Sequence, residues 1–237
     1  MRNVLTIAVR EFTGYFISPM AYVAMFFFLG VCGLIFVLST SAGPPKADMT
    51  GIFHSMVFLA LLLAPVITMG LLAQETNSGT YELLMTKPVR DVEVVLGKWL
   101  GAAGLYLVIM LISLEFPLIY EAFGKPDWGQ VLSGYLGVVL CGLGFTAVGI
   151  FASSLTSNQI AAWLTGTFML LFFWLIGFLQ YGSTNWLGEL AKRVSVLENY
   201  NDFERGTIDA TNLLYFVSLC AVFLFLTVRS LESRRTV

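Results

Sequence analysis

Val57-Phe-Leu-Ala-Leu-Leu-Leu-Ala64 and Phe168-Met-Leu-Leu-Phe-Phe-Trp-Leu-Ile176 do not alternate polar with apolar residues. A strand of a transmembrane barrel must alternate, in segments of about 10 residues, because one face meets lipid and the other the lumen. An unbroken apolar run offers hydrocarbon on every face, and a helix that pairs its own backbone groups is the form that survives there. Both stretches sit inside longer apolar runs. Along the chain these cover roughly 19–38, 52–73, 99–120, 131–152, 160–180 and 210–228. Each approaches the ~20 residues that span about 30 Å of hydrocarbon. The reading is all-α: a polytopic integral membrane protein with six transmembrane helices, in one domain over 1–237.

Composition agrees. Of 237 residues 57% are hydrophobic and 12% charged, about half the ~25% charged share of a soluble domain. The apolar fraction excludes disorder, and three cysteines, each inside an apolar run, exclude a disulfide scaffold. A net charge of -2 without a dense basic stripe gives no nucleic-acid partner. His54 is the one histidine, which leaves a metal site without a ligand set. The first run is too long for a cleavable signal and is followed by five more.

An even number of spans puts both termini on one side. On that side lie Arg2, Arg10, Lys87, Arg90, Lys98, Arg229, Arg234 and Arg235, eight against the five of Lys46, Lys125, Lys192, Arg193 and Arg205. The positive-inside bias then makes both termini cytoplasmic.

Three connecting segments carry pattern. Before the first span, Leu5, Ala8, Val9, Phe12 and Phe16 recur at three and four residues, so an amphipathic helix at the interface is expected, with Pro19 resetting the chain. Between spans two and three, Gln74 to Lys98 packs four acids and three bases into 25 residues. Gly79 breaks a helix there, Tyr81–Met85 can form a short one showing Leu83 and Leu84, and Pro88 breaks the chain again before Val89, Val92 and Leu96 recur. Such elaboration suggests short cytoplasmic helices that dock a partner; a solvated elbow is the plainer alternative. Between spans five and six, Leu187, Leu190, Ala191, Val194 and Leu197 form one apolar face opposite Glu189, Lys192 and Arg193. These outer-side helices make Leu187, Leu190, Val194 and Leu197 candidate gate residues, or a plain surface cap. Glu198, Asp202, Glu204 and Asp209 make the second half of the segment acidic.

Within the spans, Glu115 stands between Leu114 and Phe116 and before Pro117. A carboxyl group at membrane depth is costly unless neutral, paired or facing a polar path, which makes it the intramembrane candidate. A tilted or broken helix would lift it towards the interface instead. The Gly97–Gly101 spacing and the Ser133–Gly137–Cys141 series permit close helix approach. No Gly-x-x-x-x-Gly-Lys-Ser/Thr loop and no Gly-x-Ser-x-Gly elbow occurs, so the chain has no ATP-binding or nucleophile motif of its own.

Arg10-Glu11-Phe12, then Glu75 with Ser78-Gly79-Thr80-Tyr81-Glu82-Leu83-Leu84, then Thr86-Lys87-Pro88-Val89 and Val95-Leu96-Gly97-Lys98 together resemble permease subunits of ABC-2 type exporters. Asp202-Phe-Glu-Arg-Gly-Thr-Ile-Asp209, Leu213-Leu-Tyr-Phe and Leu224-Phe-Leu-Thr227 carry the likeness to the end of the chain. It is closest to the branch of gliding-motility-associated and multicopper-enzyme-maturation permeases. The resemblance implies a bacterial inner-membrane permease without a bound cofactor, paired with a second permease, identical or related, and with two cytoplasmic ATPase subunits that carry ATP and Mg2+. An extracytoplasmic accessory protein is compatible with it. It implies that Arg10, Glu11, Phe12, Glu75, Gly79, Thr80, Glu82, Leu83, Leu84, Pro88 and Asp91 couple the chain to those ATPases. From the residues alone, a membrane scaffold for a cytoplasmic complex and an ion-coupled secondary transporter stay open as alternatives.

Overall fold

A helix in lipid gains nothing from hiding apolar side chains from water, so it associates through close packing and interhelical hydrogen bonds. The fold follows that rule. The computed structural model describes residues 2–41, 49–79, 90–123, 126–181 and 186–235, and among these there is no strand. The helices are α1 (Arg2–Ile17), α2 (Pro19–Ser41), α3 (Thr50–Thr68), α4 (Gly70–Asn77), α5 (Asp91–Ser113), α6 (Glu115–Phe123), α7 (Trp128–Leu155) and α8 (Gln159–Leu175). A 3-10 turn (Ile176–Tyr181) follows, then α9 (Trp186–Val194), α10 (Val196–Glu204) and α11 (Ala210–Arg235).

Among the described residues, six helical segments are long and apolar enough to cross a membrane: Pro19–Ser39, Thr50–Asn77, Asp91–Glu121, Trp128–Leu155, Gln159–Leu179 and Ala210–Ser233. The chain is an all-α, polytopic membrane protein. Spans two and four hide 72% of their most apolar windows inside the protein, whereas spans one, five and six hide 28%, 22% and 33%, so these three are the spans most open to lipid or another subunit.

Helix α7 is the core element because its glycines let side chains of other helices lie on its backbone. A Cβ at Gly134 would stand 2.5 Å from the Phe53 ring, one at Gly142 would overlap the Tyr106 ring, and one at Gly149 would meet Thr68. Hydrogen bonds fix the same contacts: the Tyr106 hydroxyl donates to the Val138 carbonyl at 2.9 Å and the Trp99 indole to the Leu143 carbonyl at 3.3 Å. Polar caps start the helices where the sequence turns. Asp127 accepts from the Gly129 N–H at the start of α7, Asn158 from the Ile160 N–H at the start of α8, and Ser195 from the Glu198 N–H at the start of α10.

Two spans are broken, and each break has a partner on α7. Pro117 lacks the N–H that would reach the Ser113 carbonyl four residues back. Span three accordingly breaks at Leu114, and the Tyr135 hydroxyl donates to the Ser113 carbonyl at 2.7 Å in place of the missing amide. Span two, with Pro65 inside α3, breaks at Met69. There Ser153 accepts from the Leu72 and Ala73 N–H groups at 3.1 and 3.0 Å and donates to the Met69 carbonyl at 2.9 Å. Tyr135→Phe leaves the Ser113 carbonyl without its donor inside the protein, an expected loss of about 1–3 kcal/mol. A lowered thermal midpoint of the purified chain in detergent checks it; an unchanged midpoint would mean the break needs no such support.

Candidate functional site

The densest group of charges lies where α1, α4 and α5 meet. Gly97 and Gly101 make one side of α5 flat enough for α1 to lie against its backbone. A Cβ at Gly97 would stand 2.7 Å from Ile7, and one at Gly101 would stand 2.7 Å from Glu11 and 3.2 Å from the Ala8 carbonyl. The two helices run in the same direction in a register set by Asn3, whose amide donates to the Glu93 carboxylate 90 residues later. Ala8 is buried, but Leu5 and Val9 are more than half exposed. The apolar periodicity of α1 thus contains two faces. One seats on span three through Ile7, Ala8 and Phe12, and the other points away from the protein.

That docking brings Glu11 over Lys98, which is buried to 1% exposure. The ammonium donates to Glu75 Oε1 at 2.7 Å and to Glu11 Oε1 at 3.3 Å. Arg10 Nη2 lies 2.9 Å from Glu11 Oε1 and 3.9 Å from Glu75 Oε1, at the exposed rim. Burying an ammonium is tolerable only when it is paired and hydrogen-bonded. Two carboxylates on two other helices satisfy that need, so the buried charge fixes the relative positions of all three helices. The Tyr15 hydroxyl adds a fourth tie, donating at 2.7 Å to the Ile67 carbonyl just before the break in span two. Burial, with the charge of Glu11, pushes the Tyr15 phenol far above its ordinary range, so it stays a donor.

Among the residues expected to couple, the structure therefore brings together Arg10, Glu11 and Glu75, with Phe12 against Gly104 alongside. Gly79 follows α4 with φ +69, a left-handed conformation that glycine adopts without strain. Asp91 opens α5, whose first turn also holds Glu93, accepting from the Arg90 N–H at 3.2 Å. Thr80, Glu82, Leu83, Leu84 and Pro88 lie outside the described residues. Sequence reading missed Lys98 as the centre of the site. It counted this lysine as a marker at the mouth of span three, whereas α5 begins at Asp91 and places Lys98 two turns inside. A lysine next to a glycine within an apolar helix was the available signal.

Glu115 opens α6 directly after the break at Leu114 and is exposed, on a side turned away from the bundle. The segment between spans five and six is two helices rather than one face. Ser195 divides α9 from α10, Leu187 lies in the first turn of α9, Leu190 is 48% exposed, and Val194 and Leu197 are half-buried. The side chains that enter the bundle are Tyr200 and Phe203 of α10, both fully buried against Gly137. Their neighbour Glu204 is also buried, and its Oε2 lies 2.9 Å from His54 Nδ1 on span two. Sequence reading noted of this stretch only that it is acidic. The spacing of Val196, Tyr200 and Phe203 was the signal of a packed face.

Residues 44–235 match the family model described as ABC-2 family transporter protein. No curated protein matches the chain.

Proposed function

The chain belongs to the ABC-2 transporter family, and from that premise we propose that it forms half of the membrane pathway of an ATP-driven exporter, coupled to separate ATPase subunits through its α1–α4–α5 end. Members of this family are membrane components that work with ABC ATPase subunits and are not themselves ATPases. The observation that supports the coupling site is the buried Lys98, which joins α1, α4 and α5 through Glu11 and Glu75. The segment 80–89 connects α4 to α5, so a force on it is delivered to all three helices at once. Two of them meet a span across a break, α1 at Ser18 before α2 and α4 at Met69 within span two, whereas α5 is continuous with span three as far as Ser113. Movement of the charged end therefore tilts spans one and two about positions that already lack a continuous helical ladder and carries span three with it as a rigid rod.

In this reading two ATPases bearing ATP and Mg2+ bind beside 80–91, a second permease, identical or related, completes the pathway, and both termini face the cytoplasm of a bacterial cell. Service in gliding motility or multicopper-enzyme maturation is the finer form of the same proposal. The test is affinity purification from native membranes in mild detergent, with mass spectrometric identification and stoichiometry. A P-loop ATPase at two copies per two permeases, lost on Glu82→Ala or Leu84→Ala, is the expected result. Recovery without an ATPase, under conditions that keep other membrane complexes whole, overturns it.

A further inference from the structure

Two cavities of different character adjoin at the junction of α1 and α2. The first, of about 360 Å³, has a mixed wall in which Tyr15, Gln74, Gln159 and the Glu11–Glu75–Lys98 group stand beside the apolar Met20, Ile67 and Leu71. The second, of about 620 Å³, is apolar and runs along spans one, two and five between Val23, Phe27, Leu62, Leu63, Val66 and Trp163. Ser18 and Met20 line both, so the groove ends beside the cavity beneath α1. The apolar part alone has the size of a pocket for a small organic ligand, ~300–1,000 Å³. Its walls are helix faces at the end of the bundle where α1 lies.

We propose that this compound cavity is a binding site for one phospholipid with a zwitterionic, ammonium-bearing headgroup: an acyl chain in the groove of spans one, two and five, and the headgroup in the cavity beneath α1. Three features select that occupant. A second copy of the chain would bring an apolar helix, which covers the groove but brings no polar partner to the Gln74 and Gln159 amides of the cavity. An amphiphile covers both. Among the described residues an anionic headgroup finds no surplus of positive charge, because Lys98 is held by two carboxylates and Arg10 by Glu11, and the four charges sum to zero. A zwitterion matches that balance: the Gln74 and Gln159 side-chain amides that line the cavity carry N–H donors for phosphate oxygens and carbonyl acceptors for an ammonium. The inference does not depend on whether the chain moves cargo.

The test uses the full chain purified in detergent, reloaded with phosphatidylethanolamine or phosphatidylglycerol and weighed by native mass spectrometry. One phosphatidylethanolamine per chain is expected, retained about tenfold better than phosphatidylglycerol, a difference of ~1.4 kcal/mol. Gly14→Trp fills the cavity beneath α1 from a position where a Cβ meets nothing within 4 Å, and Val23→Trp fills the groove from an exposed position. Each should cut retention about tenfold, again ~1.4 kcal/mol. A phosphatidylethanolamine with a photoreactive acyl chain, applied to the unmodified protein, should label 19–27 and 62–66. Equal retention of the two lipids overturns the proposal. So does labelling spread equally to Phe168 and Phe172 on the exposed face of span five, which marks annular lipid. Loss of self-association in Val23→Trp with lipid retention unchanged assigns the groove to a second copy and also overturns it.

Discussion

Lys98→Met is expected to be the most damaging single change at the α1 end of the bundle. It leaves Glu11 and Glu75 close together, with the rim cation Arg10 beside both. Removing one partner of a buried pair costs about 3–5 kcal/mol, because the remaining charge keeps its desolvation penalty. Here the two carboxylates are each about a fifth exposed, so solvent screens part of the penalty, and a smaller loss of about 2–4 kcal/mol is expected. The thermal midpoint of the purified chain should fall accordingly. α1 should lose protection against amide exchange, since Lys98 is the strongest of its ties to α5. Lys98→Met combined with Glu75→Gln should recover part of the loss, because it removes a charge from each side of the pair. Single and double variants of equal stability would show that the network is ornamental, and would remove the support it gives to coupling.

The helices and their number were legible in the sequence because a lipid-exposed helix must be apolar along its whole length, and charge can collect only between spans. Gly79 could be read as a stop because a left-handed residue after a helix is a local requirement. What could not be read was partnership across the bundle. Nothing near Lys98 in sequence names Glu11, 87 residues away, as its acceptor. Nothing near Glu204 names His54, 150 residues away. Periodicity located an apolar face on α1 but could not separate the side that seats on Gly97 and Gly101 from the side carrying Leu5 and Val9, because both are apolar at helical spacing. Pro117 announced a break, yet the reason the break is stable is Tyr135, supplied by another span. Local rules set each element, and pairwise geometry decides which of its polar groups do work together.

Gly137→Leu should act at the opposite end. A Cβ there would stand 2.7 Å from Phe203 Cβ and 2.9 Å from the Tyr200 ring, both on α10 and both fully buried. Overpacking of this kind costs about 1–3 kcal/mol when neighbours shift. The neighbours here belong to a nine-residue helix, which can leave the bundle more readily than α7 can bend. Its departure also breaks polar ties carried by the same helix: Ser133 Oγ to the Phe203 carbonyl at 2.8 Å, Gln130 Nε2 to the Glu204 carbonyl at 3.0 Å, and His54 to Glu204. Amide exchange over 196–204 should therefore accelerate about tenfold to a hundredfold, as expected for losing ~1.4–2.8 kcal/mol of local stability. Exchange over α1 and the first turns of α5 should stay unchanged. Gly30→Ala, on span one where a Cβ meets nothing within 4 Å, is the control and should alter neither region. Acceleration confined to α10 would mean that this helix is an independent plug, released without disturbing the charged end. Acceleration of both ends together would mean instead that α7 transmits the strain, and the two ends of the bundle would then move as one.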